Sequence, residues 1–102
     1  VMDLAEAHVL GLQRLLDGKD SAVFCLGTGR GFSVREVIDA SRAVTNREVP
    51  VILGARRPGD AASLVLASSR ATTELCWEPR RSTLRQMIGD AWAWAQKPGF
   101  RA

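Results

Sequence analysis

The stretch VFCLGTGRGFSVREVI, residues 23–38, predicts an apolar strand, a glycine-rich turn and a helix in that order. The same order is typical of dinucleotide-binding folds, where the turn and the helix N-terminus hold a pyrophosphate. Their fingerprint is G-x-G-x-x-G with an acidic residue about 20 residues later, at the end of the next strand. In GTGRG the third glycine comes one residue early, and Glu48 precedes the next apolar segment instead of closing it. The spacing therefore favours a structural turn over a ligand-facing turn or a cofactor loop.

Helix and strand signals alternate on both sides of this stretch. Apolar runs at residues 22–26, 49–53 and 63–67 predict three short strands, the first of them buried on both faces. Four helices are expected to begin at Asp3, at Ser33, at Ser68 or Ser69, and at Ser82 or Thr83. Asp3 with Glu6 and Ser33 with Glu36 have the spacing of helix-capping pairs. We predict an α/β fold of about three strands and four helices in one domain, residues 1–102. Three strands are too few for a complete nucleotide-binding domain.

Composition excludes several classes of function. The longest uncharged apolar runs are far shorter than the roughly 20 residues that span a bilayer, so we expect no membrane partner and a cytoplasmic protein. The net charge of +3 comes from arginines spread along the chain, which argues against a nucleic-acid partner. His8 is the only histidine and Cys25 and Cys76 lack CxxC spacing, so no metal site is predicted.

The stretch with the most residues suited to ligand binding is ARRPGD, residues 55–60. Arg56 and Arg57 lie beside a Pro-Gly turn that ends at Asp60. The planar guanidinium fork of arginine suits bidentate binding of phosphate, and a carboxylate nearby can accept hydrogen bonds from sugar hydroxyls. The alternative is a solvated charged turn with an internal Arg–Asp pair of little energetic value. The residues alone leave both interpretations open.

Four blocks of the sequence carry a family resemblance. VMDLAEAHVLGL, LGTGRGFSVREVIDA, ARRPGDAASLVLASSRATTELCWEP and MIGDAWAWAQKPGF stand in the order and spacing of the C-terminal part of the UDP-glucose 4-epimerase family. That family belongs to the NAD-dependent epimerases and dehydratases of the extended short-chain dehydrogenase/reductase superfamily. The resemblance covers essentially the whole chain and implies the substrate-binding lobe of such an enzyme, without its Rossmann core.

The resemblance implies specific roles in binding a UDP-sugar. Arg57 matches the arginine that contacts the diphosphate, and Asp60 matches the carboxylate that hydrogen-bonds the ribose. Arg56 is adjacent with no assigned role, and Leu64 falls near the position that controls the room around the sugar. NAD is the family's cofactor, but none is expected to bind this chain.

The family's catalytic apparatus, a Tyr-x-x-x-Lys pair, has no counterpart here because the chain contains no tyrosine. We therefore expect a C-terminal fragment that has no catalytic residue and no epimerase activity by itself. Two alternatives remain: the lobe of another nucleotide-sugar epimerase, dehydratase or decarboxylase, or a non-catalytic interaction module. A homo-oligomer could form through apolar surface that the Rossmann part covers in the family, with residues 22–26 expected to carry much of that surface and to offer an edge for pairing.

Overall fold

The computed structural model describes residues 1–97 and residue 99. The four predicted helices are confirmed, as α1 (Met2–Leu16), α2 (Val34–Thr45), α3 (Ser69–Leu75) and α4 (Leu84–Ala95). The chain forms two compact units, each built from two separate segments. Unit one combines Val1–Arg30 with Val65–Thr83, and unit two combines Gly31–Leu64 with Leu84–Ala102.

Unit one is organised around the contact between α1 and α3. Its buried apolar residues are Ala7, Ala71, Leu75 and Trp77. Ala71, on α3, is completely buried. The indole Nε1 of Trp77 donates to the Asp3 carbonyl oxygen at 2.7 Å, which gives this buried polar group its partner. Leu10, Phe24 and Leu26 are half-buried against this cluster.

Asp3 does not act as the helix cap that its spacing to Glu6 predicts. Val1 is the N-cap of α1 and Asp3 lies inside the first turn, where it is only 3% exposed. Its Oδ2 accepts hydrogen bonds from the backbone N–H of Arg81, at 2.8 Å, and from the Ser82 hydroxyl. The carboxylate therefore fastens the start of α1 to the segment that follows Trp77.

Unit two is built on the packing of α2 against α4. The capping box predicted at Ser33 and Glu36 is confirmed: the Ser33 hydroxyl accepts from the Glu36 N–H, and the Glu36 carboxylate accepts from the Ser33 N–H. Asn46 ends α2 in the left-handed conformation at φ 51°, which asparagine adopts more readily than most residues. Beyond it, the Arg47 guanidinium lies 5.5 Å from the centre of the Trp92 ring on α4.

The predicted strands are wrong for the part of the chain that the structure describes, because residues 1–97 contain no β-strand. A β-ladder needs repeated pairs of hydrogen bonds between neighbouring segments. Between residues 22–29 and 65–68 the structure gives one backbone hydrogen bond, from Gly29 N–H to the Leu66 carbonyl at 2.9 Å. Burial of residues 22–26 on both faces is also wrong, since Val23 is 82% exposed. The three apolar runs thus lie outside regular secondary structure.

Candidate functional site

The first four residues of the GTGRG turn, 27–30, lie in unit one. A Cβ at Gly27 would come within 2.8 Å of the Leu66 Cβ and closer still to the Leu66 carbonyl oxygen. The Ser68 hydroxyl donates to the Gly27 carbonyl at 2.9 Å, and Gly29 has a φ of +71°. Gly27 is therefore required for close backbone approach and Gly29 for backbone conformation. These contacts agree with a structural turn.

These residues do not fit the pyrophosphate of a dinucleotide. In the fingerprint, glycines let the phosphates approach the backbone and the helix N-terminus supplies donors. Here Leu66 fills the space beside Gly27, and the Glu36 carboxylate accepts from Ser33 N–H at 2.7 Å at the start of α2. A second anion at that helix end would meet the negative charge of Glu36. The glycine-rich turn of this chain is therefore not a site for the pyrophosphate of NAD.

The ARRPGD loop of unit two brings together three of the four predicted site residues. The Nε of Arg57 lies 3.0 Å from Oδ2 of Asp60, and an Nη2 of Arg56 donates to the Asp60 carbonyl oxygen at 3.1 Å. A turn supports both contacts: Asp60 N–H points to the Arg57 carbonyl at 3.4 Å, and Gly59 has a φ of +87°. Asp60 thus contacts the rest of the loop both through its backbone and through its side-chain carboxylate.

The side chains of this loop are open to solvent. Arg57 is 84% exposed in its side chain and Asp60 is 48% exposed. An ion pair with this exposure contributes little to stability, typically about 0.2–1 kcal/mol. An exposed guanidinium with a carboxylate three residues away can receive an anion and a hydroxylated group side by side.

Leu64 is not part of this polar cluster. It lies four residues beyond Asp60 and is 87% exposed. Upstream of the loop, an open groove of about 640 Å³ is lined by α2 and by residues 51–54, ending at Gly54. Its apolar lining includes Val34, Ile38 and Val51. The loop's polar groups therefore follow directly after an apolar surface.

Within the described residues no group of three or more histidine, cysteine or acidic side chains could hold a metal ion. None of the helices in that part of the chain has the length and apolar character needed to cross a lipid bilayer. Sequence reasoning missed the anchoring contact of Asp3 with Ser82. No local signal could have found it, because the two residues are 79 positions apart in the chain.

Two curated proteins similar to this chain are UDP-glucose 4-epimerases. It is 47% identical over 94 residues to a UDP-glucose 4-epimerase of Halalkalibacterium halodurans, an alignment covering 92% of this chain and 28% of the relative. It is 41% identical over 102 residues to a UDP-glucose 4-epimerase of Corynebacterium glutamicum, covering 100% of this chain and 31% of the relative. The chain thus spans less than a third of the length of these relatives. No family model matches it.

Solved structures give the same relationship in three dimensions. A crystal structure of a UDP-glucose 4-epimerase superposes with a TM-score of 0.88 at 45% identity, covering 98% of this chain and 30% of that one. The Stenotrophomonas maltophila enzyme, solved with NAD and formylated UDP-arabinopyranose, gives 0.81 at 43% identity over 90% of this chain and 27% of its own. The Bifidobacterium longum enzyme, in complex with NAD⁺ and UDP, gives 0.77 at 35% identity, over 94% and 28% respectively.

Proposed function

We propose that this chain, a relative of the UDP-glucose 4-epimerases over nearly its whole length, forms part of such an enzyme. The part it forms is the one that binds the UDP-sugar. The observation that carries the proposal is the superposition on a UDP-glucose 4-epimerase with a TM-score of 0.88 at 45% identity. In the full enzyme the reaction is the interconversion of UDP-glucose and UDP-galactose. The relatives named above favour this reaction over that of another nucleotide-sugar epimerase, dehydratase or decarboxylase.

Within this proposal, Arg57 contacts the diphosphate and Asp60 accepts hydrogen bonds from the ribose hydroxyls. Their side chains lie 3.0 Å apart, on a turn that Arg56 ties to the Asp60 carbonyl. Leu64 borders the room available to the sugar, and its 87% exposure leaves it accessible to a ligand. The support is the presence on one turn of an exposed guanidinium, which can bind a phosphate anion, and of a carboxylate, which can accept hydrogen bonds from hydroxyls.

Titration calorimetry with UDP tests the role of Arg57. We expect weak binding by the chain and an affinity lower by about ten-fold or more in Arg57→Ala, because a charge-assisted contact with phosphate is lost. Arg80→Ala is the matched control, since Arg80 also forms an exposed pair, with Glu78 at 3.1 Å, and the loss of charge is identical. Equal UDP affinity in the two variants would refute the role of Arg57.

The chain by itself is proposed to be inactive. It contains no tyrosine, and the family resemblance places the acid/base work on a Tyr-x-x-x-Lys pair. Incubation of the chain with UDP-glucose and NAD should yield no UDP-galactose above a protein-free blank. Turnover that scales with the concentration of the chain would contradict the proposal. A cytoplasmic location and the absence of a nucleic-acid partner stay predictions.

A second candidate function is self-association, favoured by the apolar surface of unit two. Ile52 is 97% exposed and Leu53 is 87% exposed, on adjacent residues outside the helices. Exposed apolar patches on soluble proteins mark interaction surfaces when they extend over neighbouring residues. Through such a surface the chain could pair with a second copy of itself.

A further inference from the structure

We propose that Asp60 is an internal competitor for Arg57, so that a nucleoside diphosphate binds by exchanging the partners of both side chains. The proposal rests on the proposed function and adds a regulation of the same site. In the free chain the Asp60 carboxylate occupies the Nε of Arg57 at 3.0 Å. In the bound chain a phosphate takes that place and the carboxylate turns to the hydroxyls of the sugar.

The geometry of the guanidinium explains why an exchange is needed. Arginine binds an oxyanion best through two parallel N–H groups, and the Nε–H with the neighbouring Nη–H forms one such edge. Asp60 holds this edge through Nε, so a phosphate cannot engage it while the pair remains. The only alternative that keeps the pair is binding at the outer Nη–Nη edge.

The loop can make this exchange without unfolding. The pair is exposed, at 84% for Arg57 and 48% for Asp60, so its rupture is cheap. The second tie, from Arg56 Nη2 to the Asp60 carbonyl at 3.1 Å, uses the backbone and not the carboxylate. The turn that places both side chains therefore stays closed while the carboxylate changes partner.

The exchange also selects the class of ligand. An anion without a sugar displaces the carboxylate from Arg57 and offers it no new donor. A nucleoside diphosphate displaces it and supplies hydroxyl donors in the same event. The site should therefore discriminate between inorganic pyrophosphate and UDP, and Asp60 should oppose the first and assist the second.

The test measures the affinity of the 102-residue chain for both probes by calorimetry at constant ionic strength, with Asp60→Asn as the variant. We expect pyrophosphate to bind Asp60→Asn roughly two- to five-fold more tightly, since an exposed competing ion pair is lost. UDP should bind the same variant about three-fold or more weakly, because a carboxylate acceptor for its hydroxyls is lost. Opposite changes for the two probes are the signature of the exchange.

Glu78→Gln is the matched control, since Glu78 pairs with Arg80 at 3.1 Å in an exposed position and the change of charge is the same. Pyrophosphate affinity that rises equally in both variants would overturn the proposal, because the gain would come from net charge alone. Absence of pyrophosphate binding in every variant would overturn it as well. If Arg57→Ala weakens UDP while Asp60→Asn leaves pyrophosphate at the control value, the exchange fails and the proposed function stands. If Arg57→Ala leaves UDP unchanged, the proposed function itself fails.

Discussion

Asp3 is the residue whose partners come from the most distant part of the chain. Its Oδ2 accepts from Arg81 N–H and from the Ser82 hydroxyl, and its backbone carbonyl accepts from Trp77. Burial by itself raises the pKa of the Asp3 carboxyl, but the hydrogen bonds from Ser82 and Arg81 outweigh burial and the pKa lies below its usual value. Asp3 is thus charged in the folded protein and depends on these donors.

The depressed pKa of Asp3 predicts a loss of stability in acid. The pKa of an aspartate carboxyl in an unfolded chain is about 3.9. When the pKa in the folded protein is lower, the carboxylate stabilises the fold at pH values above about 3.9. This contribution is lost as the pH falls through the pKa of the folded protein. Asp3→Asn should lower the free energy of unfolding by about 1.5–3 kcal/mol at pH 7 and flatten its dependence between pH 5 and pH 2. Urea unfolding followed by circular dichroism measures both effects.

The control for that experiment is Asp20→Asn, because Asp20 is an exposed aspartate in the same unit. Some acid sensitivity should remain in Asp3→Asn, since the hydrogen bond from Arg70 lowers the pKa of Glu74 as well. An Asp3→Asn variant with the stability and pH dependence of the wild-type chain would contradict the anchoring role.

Gly27 gives a second prediction for a single residue. Gly27→Ala should destabilise the chain by about 1–3 kcal/mol, because the added Cβ would meet Leu66 Cβ at 2.8 Å and backbone atoms must shift. Gly54→Ala is the matched control, since a Cβ there meets nothing within 4 Å. Thermal unfolding of the two variants compares them directly, and equal midpoints would show that the close approach at Gly27 is absent.

The helices differ in how far the sequence alone predicts their ends. The start of α2 was predictable because Ser33 and Glu36 are three residues apart and their hydrogen bonds are local. The role of Asp3 was not, because the same spacing to Glu6 coincides with a long-range partner at Ser82. A local pattern cannot tell a helix cap from a buried anchor when the deciding contact is distant in the chain.

The prediction of strands was wrong for a related reason. Residues 22–26 and 63–67 have the apolar character of strands, but a strand exists only through its ladder partners. One backbone hydrogen bond, from Gly29 just after the first segment to Leu66 in the second, is too little for a ladder. For the candidate site, the sequence predicted that Arg57 and Asp60 would be close, because a Pro-Gly turn separates them. An internal Arg–Asp pair was one of the two interpretations left open, and the 3.0 Å contact between Arg57 and Asp60 is such a pair. The hydrogen bond from Arg56 to the Asp60 carbonyl oxygen was not predicted, because no local pattern indicates it.

The capping box of α2 provides a prediction for an element. Ser33→Ala should lower the stability of α2 by about 1 kcal/mol, because the Glu36 N–H loses its acceptor at 3.2 Å. Hydrogen exchange of the amides in the first turn of α2 should therefore accelerate roughly five-fold. Ser63→Ala, at an exposed serine of the same unit, should leave those rates unchanged. Equal protection in both variants would mean that the cap contributes nothing.

For the molecule as a whole, the exposed apolar residues of unit two predict self-association. Sedimentation over a range of concentrations should show dimers at high concentration, and Ile52→Lys should weaken them because a charge would enter the contact. Val23→Lys is the control, since Val23 is an exposed apolar residue of unit one. A strict monomer at about 1 mM, or equal weakening by both variants, would contradict association through this surface.

We propose that residues 56–60 receive the UDP moiety of a nucleotide-sugar. Titration of the ¹⁵N-labelled chain with UDP, followed by amide and arginine side-chain NMR signals, tests it most directly. We expect the largest shifts on the backbone of residues 56–60 and on the Nε–H of Arg57, which loses Asp60 as its partner. Shifts concentrated on the groove beside α2, or no shifts at saturating UDP, would contradict it.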